Sequence, residues 1–372
     1  MPALQLLAGV TLAMLLPYAN AVEVTKKATI ATGVEYESNP ALAETDKNSV
    51  WTYTLAPQFQ LDVADEVNRW YLDGALLIQR HSNEKVLFDR EDPKLAIGWD
   101  RTYESGVFGV KAEYQESSAR VAELTNTGVF SNADNTQTNR AFSARWQHAI
   151  SAKWAVLTEG VYNNVTFSIP GSLDSHTLTE IRSQLSYVNS EKLDTFAQIG
   201  YSQLNPDKLY KNTDLARFML GANYQVSDRL SVSPHAGVYN LSGRQSDTDW
   251  EAGIKANYIV ERVSYSAGLS RDIVPSGVAT FREVDSLTLG WQFNLSDRDQ
   301  LGADFSFGKH KKDASIDVSR LDYQQIGAFY ERNLSDHWKT RLAAARKDLD
   351  TTDINAKSYV IGVTLVYDTL SF

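Results

Sequence analysis

Ser233 and His235 stand two residues apart, and on an extended strand that spacing puts a hydroxyl and an imidazole on one face, where a base can activate a nucleophile. A working hydrolase also needs a carboxylate to orient the imidazole, and the neighbouring Ser231, Pro234 and Gly237 supply none. A bare Ser-x-His pair arises readily by accident, so no catalytic residue is assigned and the chain is not read as an enzyme. The six histidines fall into no metal-ligand spacing, and there is no cysteine for a zinc site, an iron–sulfur site or a disulfide. Asp247 with Asp249, and Asp350 with Asp353, could touch calcium in loops. No bidentate Glu follows at the required distance, so they read as solvated turn residues. No glycine-rich phosphate loop opens a helix, and neither metal nor cofactor is expected.

More chemistry lies in charged residues that recur at every second position, opposite an apolar stripe: Glu35, Asp73, Asp100, Lys111, Glu113, Arg145, Glu180, Arg182, Arg217, Glu251, Lys255, Asp304 and Arg341. Arranged around a bore, they would line a polar passage and tune what crosses it; the plainer reading is salt-bridged filling of a wall. Their mixed signs argue against a strongly anion- or cation-selective pore. Tyr71, Phe196, Tyr239 and Phe329 share the polar face, where flat rings could stack on sugars, although most such rings pack against neighbouring side chains.

The elements that carry these residues have a period of two almost throughout. Trp51, Tyr53, Leu55, Phe59 and Leu61 alternate with Thr52, Thr54, Gln58, Gln60 and Asp62, and Phe108, Val110, Ala112 and Tyr114 alternate with Gly109, Lys111, Glu113 and Gln115. Near the C-terminus Tyr359, Ile361, Val363, Leu365 and Tyr367 form an apolar face with aromatics at both ends, which suits a bilayer and its two water interfaces. The final Phe372 falls on the opposite parity unless a bulge intervenes. Tight connections, such as Ala64 to Val67 and Leu334 to Asp336, take turns with longer polar ones, such as Ser82 to Asp92, Ala122 to Thr136 and Ile273 to Thr280. This alternation predicts an all-β fold: a transmembrane antiparallel up-and-down barrel of about eighteen strands, with sixteen as the alternative and both termini periplasmic. Such a sheet must close, because an open edge in hydrocarbon would leave unpaired backbone groups at a cost of several kcal/mol each.

Composition agrees. Nowhere do the 372 residues change texture as at a domain linker. Leu6 to Leu16 is an apolar run followed by Pro17 and the small-residue pattern Ala19-Asn20-Ala21, so residues 1–21 read as a signal peptide and 22–372 as one barrel domain. A net charge of -10 argues against a nucleic-acid partner, whose phosphates demand excess Lys and Arg. Mean hydropathy is -0.33, and a barrel hides its membrane signal in every second residue.

The stretch Gly33-Val34-Glu35-Tyr36-Glu37-Ser38-Asn39-Pro40 resembles the opening of a group of Gram-negative outer-membrane barrels found with exopolysaccharide export and exosortase-linked systems. The passage from Tyr114 through Ser117 and Ser118 to Glu123-Leu124-Thr125-Asn126-Thr127-Gly128 is similar to that group too, as are the turns Ser227-Asp228-Arg229 and Leu334-Ser335-Asp336-His337-Trp338. What the resemblance implies is export of a secreted polysaccharide across the outer membrane, with periplasmic export components as partners and no site residues carried over. Outer-membrane lipid, lipopolysaccharide and the barrel-assembly machinery are the other expected partners. A general or sugar-selective uptake porin is the alternative, and a structural, adhesive or lipid-acting enzymatic barrel a second one.

Overall fold

The structure, a computed structural model, describes residues 22–120, 123, 135–169, 173–208, 211–243, 246–310, 321–351 and 354–369. The expected leader, the final Phe372, Asp353 and most of the Ala122 to Thr136 connection lie outside the described residues. Eighteen strands follow one another: β1 Glu23–Glu37, β2 Val50–Ala64, β3 Asn68–His81, β4 Arg90–Tyr103, β5 Gly106–Ser118 and β6 Thr136–Ala149. Next come β7 Trp154–Phe167, β8 His176–Ser190, β9 Leu193–Pro206, β10 Thr213–Ser227, β11 Leu230–Gly243 and β12 Asp247–Val260. The last six are β13 Val263–Pro275, β14 Phe281–Asn294, β15 Asp299–His310, β16 Leu321–Asn333, β17 Trp338–Thr351 and β18 Asn355–Asp368. Each pairs antiparallel with the next, and β1 pairs with β18 from Thr29↔Asp368 to Glu37↔Val360, which closes the sheet. The strand count and the closure are those that the alternating texture predicts.

Parity sorts the two faces as the sequence implies. Ile199, Ile361 and Val363 leave about half or more of their surface exposed on the outside, an arrangement that suits hydrocarbon and not water. Aromatic pairs mark the short-turn rim of this belt: Trp70 with Trp99 at 5.6 Å between centroids, Trp154 with Tyr187 at 4.6 Å, and Trp338 with Tyr367 at 4.9 Å. Tyr36 with Trp51 at 5.1 Å, together with the exposed Tyr162, Tyr201, Trp250 and Tyr359, marks the long-loop rim. A closed sheet with two aromatic girdles around an apolar belt is an outer-membrane barrel, with its short turns toward the periplasm. Val363 lies midway between Tyr359 and Tyr367. Val363→Arg should therefore cost about 2–4 kcal/mol of folding free energy in a bilayer, measured by denaturant-dependent refolding into lipid vesicles.

The short turns are closed by local side chains. In the β2–β3 turn, Asp65 accepts hydrogen bonds from the N–H groups of Val67 at 2.8 Å and Asn68 at 2.6 Å, which hold its carboxyl below the ordinary aspartate range. A lowered folded pKa stabilises the turn above the unfolded value, and this is lost as pH falls through the folded value. The Asp65→Ala variant should accordingly lose less stability on acidification than the parent, as read from refolding midpoints at neutral and acid pH.

One long-loop hairpin leaves the wall. β12 and β13 pair only up to Ala252↔Arg271, whereas β13 and β14 stay paired to each other through Pro275↔Phe281. Beyond Arg271 the hairpin turns inward. Ile273 and Phe281 pack into a buried cluster with Leu178, Leu204, Leu215, Tyr239 and Leu241 of β8 to β11. The tip residues Ser276, Ala279 and Thr280 are fully buried. Gly277 reaches the β5–β6 and β7–β8 connections, where it accepts a hydrogen bond from the Asp174 N–H at 2.7 Å and donates one to Glu123 at 2.7 Å. Ile273 to Thr280, expected from sequence to be one of the longer polar outer loops, is instead buried inside the barrel. Its apolar side chains are withdrawn from water onto the lumenal wall.

Candidate functional site

Below the hairpin, toward the short-turn end, the lumen holds a cavity of about 780 Å³ walled by β1 to β8. Register explains its lining. Arg69 faces Asp100 across β3–β4, Gly109 faces Arg145 across β5–β6, and Glu159 faces Arg182 across β7–β8, so acids and bases alternate around the wall. Arg145 bonds Asp100 at 2.9 Å, with Gly109 between them leaving room for the guanidinium. Arg182 bonds Glu159 at 2.6 Å, Arg69 pairs with Asp62, and Lys111 meets Glu113 at 2.5 Å with Lys94 on the other oxygen at 3.4 Å. Lys27, Gln60 and Asp73 lie at one level on adjacent strands, which sets the Cα atoms of Lys27 and Asp73 about 10 Å apart. These charges face water and each other, so each pair contributes roughly 0–1 kcal/mol to stability while keeping a strong local field.

The cavity takes in Asp73, Asp100, Lys111, Arg145 and Arg182. Glu113 stands beside it on Lys111. Arg341 lies further round, its guanidinium 4.0 Å from Glu331, and Asp304 faces Gly327 of β16. Lys255 faces Ser233 across β11–β12, and Ser202 donates to Glu180 at 3.2 Å. Glu251 departs from a pore-lining role. It is buried at 3 % exposure, with Arg217 at 3.9 Å as its ion-pair partner.

The aromatic candidates divide likewise. Tyr71, Phe196 and Phe329 lie across the glycines that face them in register, Gly98, Gly221 and Gly302. A Cβ at any of these would stand within 2.3 Å of the ring, so the pairs work only with glycine. Tyr71 lines the cavity, while the Arg341 guanidinium covers Phe329 at 3.9 Å. Tyr239 cannot stack on a solute. It is 2 % exposed under the hairpin and its hydroxyl donates to Glu283 at 2.7 Å. The Ser233 hydroxyl donates to Asn223 at 2.9 Å, and the His235 ring lies against Gly253, an arrangement that gives the pair no activated nucleophile.

Lys27, Arg69 and Glu159 also line the cavity and are not among the sequence candidates, although each sits at a position the alternation assigns to the lumen. The hairpin also left a trace. Ile273-Val274-Pro275-Ser276-Gly277-Val278-Ala279-Thr280 carries no charge at all, which is unusual for a loop in water.

No family model matches the chain, and no curated protein matches it in sequence. Solved structures do match in shape. OccAB4 of Acinetobacter baumannii superposes with a TM-score of 0.55 at 10% identity, covering 94% of this chain and 98% of that one. OpdK of Pseudomonas aeruginosa, also solved with vanillate, gives 0.55 at 10% identity over 94% and 99% of the two chains. OpdQ of the same organism gives 0.53 at 9% identity over 93% and 99%. At such identities the likeness is one of fold: a closed outer-membrane barrel of this size.

Proposed function

We propose that the protein is an outer-membrane channel for passive uptake of small polar and charged solutes, with residues 22–372 as its single barrel domain. The observation that carries this reading is the water-facing wall of alternating acids and bases around the 780 Å³ cavity. A charged solute can trade one wall partner for the next there without ever being desolvated alone. The hairpin folded into the lumen favours small solutes over a polymer, because a polysaccharide strand needs a continuous bore and here the buried hairpin takes up part of it. OpdK, of similar shape, is solved with vanillate, a small organic anion, which supports a small-solute channel over the export role that the resemblance implies. Purified protein in planar bilayers should give small, discrete conductance steps. Liposomes carrying it should swell faster in small organic ions and sugars than in oligosaccharides. Absence of conductance, or equal rates for small solutes and long oligosaccharides, would count against this function.

A further inference from the structure

A β-strand edge that has lost its neighbour must satisfy its backbone some other way or be covered. β12 has such an edge. Its last partner in β13 is Arg271, facing Ala252, although β12 continues from Glu251 to Asp247 and β13 continues to Pro275. Above that level the N–H groups of Thr248 and Trp250 donate to the carboxylates of Asp247 and Asp249, each at 2.8 Å. A spacing of two is that of N–H groups on one strand edge, so these aspartates, read from sequence as turn residues, cap the freed edge. On the outside the gap is spanned by a side-chain clasp. The Arg271 guanidinium lies 4.3 Å over the Trp250 ring and bonds Asp285 at 2.6 Å. Trp250 belongs to the long-loop aromatic girdle, so the gap begins where outer-leaflet acyl chains meet their headgroups. Behind it lie Tyr239, Leu241, Ile273 and Phe281, a buried apolar cluster between the hairpin and the inner wall.

We propose that this seam between β12 and β13 is a lateral portal, through which amphipathic molecules dissolved in the outer leaflet pass between the bilayer and the lumen. The inward lean of the hairpin does two things at once: it obstructs the axial path and parts the wall at its base. Arg271, held by Asp285 of its own hairpin, closes the parting through a single cation–π contact to Trp250 of β12, so the clasp can open at little cost. An alkyl chain entering there meets apolar side chains instead of water.

The chain has no cysteine, so paired thiols report on the seam without background. Continuing the Ala252↔Arg271 register places Asp249 opposite Val274, and Asp249→Cys with Val274→Cys would staple the seam on oxidation. The full chain is reconstituted in phospholipid vesicles with dodecyl maltoside carrying a photoactivatable diazirine, and the labelled residues are mapped by mass spectrometry. The portal predicts label on Tyr239, Leu241 and Ile273 as well as on belt residues Ile254 and Leu269. The label on this buried cluster should fall several-fold on oxidation and return on reduction, with the belt label unchanged. Folded protein labelled only on the belt, or a cluster label indifferent to oxidation, overturns the proposal. If the staple does not form, the single Asp249→Cys variant carrying a bulky maleimide serves the same purpose: a lower cluster label supports the portal and an unchanged one overturns it. Conductance is measured on the same samples, so failure of the portal and failure of the channel are told apart.

Discussion

Replacing Val274–Arg282 by Asn-Gly should raise the single-channel conductance several-fold. Ile273 and Glu283 face each other across β13–β14, and a two-residue Asn-Gly loop suits the twist of antiparallel strands, so the shortened hairpin can still close. The deletion removes the buried tip, together with the hydrogen bonds of Gly277 to Asp174 and Glu123 that anchor it to the β7–β8 and β5–β6 connections. It also uncovers Leu178, Leu204 and Leu215, whose burial is worth roughly 1.5–3 kcal/mol each. The variant should therefore be less stable than the parent. It should still assemble, because the girdles, the apolar belt and all eighteen strand pairings below the tip remain. Folding is checked by heat-dependent gel mobility and the effect by bilayer recordings. Unchanged conductance in a folded variant would show that the hairpin is not the narrowest part of the path.

That hairpin also shows where the sequence stops being legible. The strands could be read because lipid on one side and water on the other impose a choice at every residue: Trp51 and Tyr53 face outward, Thr52 and Thr54 inward, and a shift of one would invert both. Charges that line the cavity, such as Arg145, Arg182 and Lys111, follow from the same parity. Their partners depend on register between strands, and register is set by turns and closure, which local alternation does not encode. The inward lean of Ile273 and Phe281 is less local still, for it depends on Leu178, Leu204 and Leu215, three strands that the chain laid down long before. Tyr239 shows the consequence. By parity it belongs to the lumen, and by tertiary packing it is sealed from it.

Reversing two bases of the cavity, Arg145→Glu together with Arg182→Glu, should turn a weakly selective channel into a cation-selective one. The cavity is lined by five bases, Lys27, Arg69, Lys111, Arg145 and Arg182, and four acids, Asp62, Asp73, Asp100 and Glu159, and the reversal leaves three bases against six acids. The reversed carboxylates would also lie beside Asp100 and Glu159, which now bond these arginines. At physiological salt the Debye length is about 8 Å, so charges on the wall still act on an ion crossing a cavity of this size, more strongly as salt is lowered. Stability should change little. The two arginine side chains are 53% and 48% exposed, where an ion pair is worth roughly 0–1 kcal/mol. The expected result is a reversal potential in a salt gradient that moves toward the cation equilibrium value and drifts back as total salt rises, with the refolding midpoint nearly unmoved. The opposite reversal, Asp100→Lys with Glu159→Lys, should shift selectivity toward anions. If neither variant changes selectivity while both fold, ions do not cross through this cavity, and the conducting path must lie along another part of the wall.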